Sequence, residues 1–321
     1  MEARMQGYRE SGITPSLLAE NRQPAERADN ATLRKDEWET IDEAVVDVMR
    51  ERLTIVGDMQ ASGLTTDVGL GTIHRIVERM QDVGDAELSM DGDTDPERHR
   101  HTYASQTFPV PVISQDFRIS RRQLEASRTR GSDLQTDNAM ASGRAVREKQ
   151  EDLVVNGVTG IGPDGNDLDG VSNGSNELTD SLGTSWPASS GTPIADTEKM
   201  LNTAYTNNLT GPFRMYVPDE YWAGLQGDYK SESDRTVINR IEAFEDIESV
   251  RPLFPLADDN VLLIQWTSDV LDLTVGQNPT TIQWEKNPMV TNFRIFSVMS
   301  PAVKTIEQPD GTTINGIIHL S

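Results

Sequence analysis

Between Gly69 and Asp116 the chain carries two polar arms, residues 73–88 and 102–112, joined through Asp91-Gly92-Asp93-Thr94-Asp95-Pro96-Glu97. No other segment constrains the fold as much. With so little apolar surface it cannot offset the entropy of ordering by burying a core of its own. A two-stranded ribbon is marginal when alone in water. The expected form is therefore a long two-stranded excursion that leaves the body and depends on a neighbour.

The flanking segments supply that body. Residues 1–35 mix charges without an apolar period, as in Asn21-Arg22-Gln23-Pro24, and read as an extended arm. Asp36 with Glu39 forms a capping box ahead of Trp38, Ile41, Val45 and Val48, which step along one helical face. Ile55 and Val56 continue this helix to Gly57 or Gly63. Phe117-Arg118-Ile119 leads into a short helix ending at Arg130-Gly131. Ser132 with Gln135 is a second capping box, opening a helix to about Val155 with small residues at Ala139, Ala141, Gly143 and Ala145.

Residues 157–195 are crowded with Gly, Asp, Asn, Ser and Pro and read as loop. Beyond them the pattern predicts helices over 197–207 and 219–226. Strands are predicted over 213–217, 261–265, 269–275, 280–285 and 293–299. This order, with antiparallel strands late and no fixed repeat, specifies an α+β chain.

Composition narrows the functions. Hydrophobic residues are 36% and aromatics 6% of 321 residues, so burial rests on aliphatic side chains. The formal charge of −23 repels nucleic acid and anionic membrane at long range, and suits a surface kept soluble in strong salt. Without cysteine there is neither a disulfide nor a thiolate metal site. No apolar run is long enough to span a bilayer, and Met1 to Glu10 lacks a signal-type apolar stretch, so a soluble protein made in the cytoplasm is expected.

Candidate chemistry is sparse. Gly69-Leu70-Gly71-Thr72-Ile73-His74 starts like a dinucleotide loop but has His at the third glycine position, and reads as a turn. Asp91, Asp93 and Asp95 have the first ligand spacings of a calcium loop, yet Pro96 stands where Gly is required and Thr102 where the bidentate Glu belongs. They remain candidate ligands for weak cation binding only. Asp164 to Gly170 fails in the same way at Leu168, and His99 with His101 lacks further ligands. No Walker or His-Glu-x-x-His motif occurs, and no catalytic residues and no cofactor are assigned. One stretch runs against the acidic background: Arg118, Arg121, Arg122, Arg128 and Arg130 face only Glu125. It is a candidate contact to DNA or to a neighbouring chain's acids, with intramolecular salt bridges as the alternative.

Several segments in order resemble one family. They are Phe117-Arg118-Ile119 to Leu124, Arg130-Gly131-Ser132-Asp133-Leu134, and Ala145 with Glu151-Asp152-Leu153-Val154-Val155-Asn156-Gly157. Asp169-Gly170-Val171, Val217-Pro218-Asp219 to Leu225, Leu271 to Gly276, and Phe293-Arg294-Ile295-Phe296 to Val303 follow. Together they resemble the encapsulin-like branch of the tailed-virus major capsid family named after phage Hong Kong 97.

That resemblance implies an α+β Hong Kong 97-type fold. Its parts would be an N-terminal arm (1–35), a peripheral-domain helix (36–68), an E-loop hairpin (69–116), a peripheral domain with the spine helix (117–190), an axial domain (191–285) and return strands (286–321). It further implies a non-enzymatic shell subunit assembling with itself as hexamers and pentamers round double-stranded DNA, in the virion of a tailed virus whose host lives in strong salt. Assembly would occur in the host cytoplasm, without a membrane. Portal, scaffold, protease or decoration proteins are the further partners the family implies. Lysine cross-linking is not expected, since residues 73–112 hold no Lys and Lys149 lies on the spine; nor is proteolytic maturation, since no long scaffold-like domain precedes residue 36. An encapsulin compartment shell is the alternative, and an acidic secreted hydrolase a more distant one.

Overall fold

The computed structural model describes residues 54–80, 90, 103–130, 137–162, 167–186, 191–229, 235–287, 289–308 and 312–321. In chain order the elements are α1 (Ile55–Ala61), β1 (Thr65–Asp67), β2 (His74–Met80), β3 (Tyr103–Pro109), β4 (Val112–Ser120), α2 (Arg121–Arg130), α3 (Asp137–Asn156), β5 (Leu178–Asp180), α4 (Pro193–Thr206) and β6 (Phe213–Val217). There follow α5 (Asp219–Leu225), α6 (Val237–Ile241), β7 (Ile247–Pro252), β8 (Val261–Gln265), β9 (Leu271–Asn287), β10 (Val290–Val303), β11 (Thr305–Glu307), β12 (Thr313–Asn315) and β13 (Ile317–Leu320).

The chain divides into two compact units. The described residues of the first lie in Asp116–Arg144 and Thr281–Arg294; the second is Met49–Gln115, Ala145–Thr280 and Ile295–Ser321. In the first, Phe117 and Phe293 stack with ring centroids 4.9 Å apart, and Leu124 is buried. Helix α2 starts from a capping box: Ser120 Oγ accepts from Gln123 N–H at 3.3 Å, and Gln123 Oε1 accepts from Ser120 N–H at 3.1 Å.

The second unit is built on a five-stranded sheet of order β5-β13-β8-β6-β7. Its centre is β8, whose Val261, Leu262, Leu263 and Ile264 are all buried, as expected of a strand covered on both faces. β8 runs antiparallel to β6 and β13, whereas β6–β7 and β13–β5 are parallel. Met200 and Leu201 of α4, Phe213 and Met215 of β6, Tyr221 of α5 and Ile241 of α6 fill the core against Leu263 and Ile318. A second sheet has the order β1-β9-β10-β4. In it β1 lies parallel to Leu273–Val275 of β9.

Helix α3 buries residues at helical spacing, among them Ala139, Ser142, Val146, Gln150 and Leu153. At its end two glycines bring backbones into contact. Gly157 has φ +62, and a Cβ there would lie 2.1 Å from Leu168 O. A Cβ on Gly170 would lie 2.3 Å from Val155 O and 2.4 Å from Gly157 N. Neither position has room for a side chain, and the approach lets Val171 and Ser172 N–H bond the open carbonyls of Val154 and Val155 at 3.0 and 2.9 Å.

Some elements differ from the pattern reading. Helix α1 starts after Thr54 and ends at Gly63, whose φ of +72 is the left-handed stop. Helix α4 begins at Pro193 rather than residue 197, since Pro is tolerated in the first turn, where its missing N–H costs no bond. The stretches 269–275 and 280–285 are one strand, β9, which runs on through Asn278-Pro279. The capping boxes at Asp36 and Ser132 lie outside the described residues.

Candidate assembly surface

The hairpin β2–β3 is in register from His74 opposite Pro109 to Met80 opposite Tyr103. Opposed residues share a face. Arg75, Val77 and Arg79 therefore lie with Phe108, Gln106 and Ala104, all half-buried or buried. His74, Ile76 and Glu78 lie with Thr107 and Ser105 on the other face, all exposed. One side of the ribbon is thus seated on its own unit and the other is bare. Large apolar side chains stand on and around the bare side: Ile73, Ile76, Tyr103 and Val112 are 63%, 64%, 67% and 63% exposed. Ile76 and Tyr103 stand on the ribbon itself, and Ile73 and Val112 just beyond the ends of its strands; such a group exceeds the scattered apolar exposure of an ordinary surface. The tip 91–102, with Asp91, Asp93, Asp95, His99 and His101, lies outside the described residues.

The first unit has an exposed group of its own, Ile282, Trp284 and Met289. Arg294 lies 5.4 Å from the Trp284 ring centroid and forks onto Asp116 at 2.6 and 2.8 Å. The hydrogen bond from Arg294 holds the Asp116 carboxyl below its ordinary value. Of the basic stretch, Arg118 is exposed on β4 between the buried Phe117 and Ile119, Arg121 is half-buried and Arg122 is exposed at the start of α2. Arg128 and Arg130 lie on α2, their side chains outside the described residues. The described part of this stretch therefore presents at least Arg118 and Arg122 to solvent.

In the second unit, polar side chains fix helix starts and strands. Glu151 of α3 accepts from Thr54 and Ile55 N–H at 3.0 and 2.9 Å, capping α1, and burial pushes its carboxyl above the ordinary value. Asp58 accepts from Tyr216 Oη at 2.9 Å and pairs with Arg251 at 2.9 Å; burial, then Asp58, raises the Tyr216 phenol. Sequence patterning missed these pairings, which join residues about a hundred or more positions apart. The signal that could have been read is an acid at a core position, Asp58 and Glu151, inside an apolar period.

Two of the clefts in this unit are similar in size. One of ≈ 660 Å³ is lined by Trp186, Tyr221, Tyr229, Glu198 and Glu220, with Trp186 and Tyr221 stacked at 5.3 Å. The other, of ≈ 650 Å³, is lined by Arg147, Glu148, Glu151, Phe254 and Pro255. Neither lining sets an imidazole or a lysine amine beside a hydroxyl. Among the described residues no group of three or more His, Asp or Glu is placed to hold a metal, and no helix is long and apolar enough to cross a membrane. Residues 69–72 form the expected turn, closed by Thr72 N–H to Gly69 O at 3.1 Å. Asp167 is spent on a loop bond, accepting from Gly160 N–H at 2.7 Å.

Comparison with known proteins agrees with this architecture. The chain is 21% identical over 276 residues, 85% of its length and 90% of the other's, to the type 1 encapsulin shell protein EncA of Myxococcus xanthus (strain DK1622). The virus-like particle of Pyrococcus furiosus has a similar subunit, with TM-score 0.63 and 16% identity over 88% of this chain and 98% of that one. The capsid of the Myoviridae phage XM1 gives 0.59 and 14%, over 82% and 90%. The fold is of the Hong Kong 97 type. Residues 27–311 match the model of one family, and the chain accordingly belongs to the family of unknown function DUF6260.

Proposed function

We propose that this chain is the major capsid subunit of a tailed virus, building an icosahedral shell of hexamers and pentamers round double-stranded DNA. The observation that carries the reading is the hairpin β2–β3, with one face seated and the other bare and edged by Ile73, Ile76, Tyr103 and Val112. Such a surface is complete only against another copy, and many weak copies of one contact close a durable shell. In this reading residues 69–116 are the E-loop, 36–68 and 117–190 the peripheral domain with α3 as its spine, 191–285 the axial domain and 286–321 the return strands. Residues 1–35 are the arm. The shell has no enzymatic task, and portal or decoration proteins are its further partners.

The stretch Arg118, Arg121, Arg122, Arg128 and Arg130, of which Arg118 and Arg122 are exposed, is the basic contact, to packaged DNA or to a neighbour's carboxylates. A charge of −23 on every subunit opposes assembly, so molar salt should favour shells by screening and dilute buffer should weaken them. An encapsulin shell is the second reading, favoured by the likeness to EncA over 90% of that protein.

The test is electron microscopy of the protein expressed alone and dialysed into molar salt, with light scattering during dilution. Closed particles that loosen in dilute buffer are expected. A monomer at all salt concentrations, with and without co-expressed portal and scaffold genes of the same locus, would sink the shell reading. Native particles carrying DNA favour the virus; particles filled with a protein cargo favour the compartment.

A further inference from the structure

We infer that the ≈ 660 Å³ cleft lined by α4 and α5 binds an aliphatic polyamine, a cation with ammonium groups at both ends of an apolar chain. One part of the lining is aromatic. Trp186 and Tyr221 stack with their planes 26° apart, and Tyr229, 44% exposed, adds a third ring. The polar atoms of the two stacked rings are engaged elsewhere. Trp186 Nε1 donates to Asp196 Oδ2 at 2.9 Å, while Tyr221 Oη donates to Asp259 and lies 3.3 Å from Ser185 Oγ. These rings therefore offer a ligand ring surface, and a ring that donates its proton to a carboxylate holds more electron density for a cation. The backbone behind Trp186 is tightly closed: a Cβ on Gly191 would lie 2.7 Å from Trp186 O.

The other part of the lining carries charge of one sign. Glu198 of α4 and Glu220 of α5 are exposed, and neither carboxylate makes a hydrogen bond or an ion pair with another described residue. Among the described residues of the lining there is no Lys, Arg or His. Lys199, next to Glu198 in sequence, is engaged outside this cleft, 3.4 Å from Asp180 Oδ1 and 2.9 Å from Ser181 O. Ile194, Leu225 and Val237 supply aliphatic surface in the same lining.

Two carboxylates on separate helices, with rings and aliphatic side chains in one cavity, select the ligand by elimination. An anion is repelled. A divalent metal ion needs about six oxygens close together, and among the described residues no group of three or more acids is placed to hold one. A single ammonium answers only one of the two glutamates. A polyamine answers both and lays its methylenes on the apolar lining, and the volume falls within the about 300–1,000 Å³ of small-molecule sites. Each contact alone is weak at an exposed site, so binding depends on joining them in one molecule. Gly224 lines the same cleft, and a Cβ there would meet nothing within 4 Å, so a larger side chain takes up cleft space without removing a charge. None of this depends on the shell reading.

Isothermal titration of the whole protein with 1,5-diaminopentane tests this, in about 0.15 M NaCl to screen distant charge and in one state of assembly checked by size. Saturable binding of one diamine per chain is expected, with pentylamine about fivefold weaker and an equal concentration of Mg²⁺ unable to displace the diamine. Glu198→Gln and Glu220→Gln should each weaken the diamine about fivefold and Tyr229→Ala about threefold. Gly224→Leu should abolish binding, and Glu285→Gln, an exposed acid of the first unit, should leave it unchanged. All five positions are exposed, so the fold should survive each change. The inference is overturned if no saturation is reached by about 10 mM diamine. It is equally overturned if Mg²⁺ displaces the diamine, if pentylamine binds as tightly, if Gly224→Leu binds like wild type, or if Glu285→Gln weakens binding as much as Glu198→Gln. Each of these results can be obtained whether or not closed shells form, so failure here is separable from failure of the assembly reading.

Discussion

Gly170→Ala should be among the most damaging methyl additions in this chain. The new Cβ would stand 2.3 Å from Val155 O, 2.4 Å from Gly157 N and 2.7 Å from Asn156 C, all backbone at the end of α3. Normal contact requires the two segments to part by about 1 Å, since carbon and its neighbours settle near 3.5 Å. That movement stretches the bonds from Val171 and Ser172 N–H to Val154 and Val155 O beyond useful length. Two buried backbone bonds at about 1 kcal/mol each, with loosened packing of Val171, which is fully buried, give a loss of about 3 kcal/mol. For a chain of this size that lowers Tm by roughly 5 °C in scanning calorimetry at matched protein concentration. Gly224→Ala is the control: it lies in α5 with nothing within 4 Å of the added carbon, and should gain about 0.5–1 kcal/mol from helix propensity. A Gly170→Ala protein melting within about 1 °C of wild type would refute the claim that the two backbones are locked together.

Glu151 gives a pH signature. Its carboxyl is raised by burial, so its contribution to stability is present below the ordinary value of 4.5 and is lost as pH rises through the raised one. The Tm difference between wild type and Glu151→Gln should therefore fall, to the disadvantage of wild type, from pH 4 to neutrality; a flat difference would contradict it. Tyr216→Phe strips Asp58 of its hydroxyl donor and should cost about 1–3 kcal/mol by urea unfolding, because the carboxylate stays buried with Arg251 alone. Phe293→Ala, which removes one ring of the stack with Phe117, should cost about 3–5 kcal/mol in the same assay.

The elements legible in sequence were those whose signals are local. Phe213–Val217 and Val261–Gln265 are bounded as the pattern predicts, because short apolar runs between turn residues can do little else. Asn278-Pro279 misled: turn chemistry reads as a break, yet the strand passes straight through it. β7 and β13 escaped prediction, since Ile247-Glu248-Ser249 is half polar and Ile317–Leu320 is four residues long; both become strands only by pairing with β6 and β8. The capping box at Ser120 and Gln123 carries the local signature Ser-x-x-Gln. At the candidate surface, the charge of Arg75 and Arg79 was visible, but not that it turns inward: alternation gives two faces and does not say which one the body covers.

The place of β13 also sets a clock. It pairs with β8 along Val261 to Ile264, and the intervening residues must be made before that edge can close. At about 5–20 residues per second of synthesis, a strand of nearly pure Val, Leu and Ile waits for several seconds with one side unpaired. β1 likewise waits for Leu273–Val275, and β5 for β13. Contacts so distant along the chain make for slow folding. On the proposed reading, a shell subunit made in many copies at once is most exposed to sticking together wrongly while it is being made, and its yield should depend on temperature and chaperone supply during synthesis more than on the stability of the finished fold.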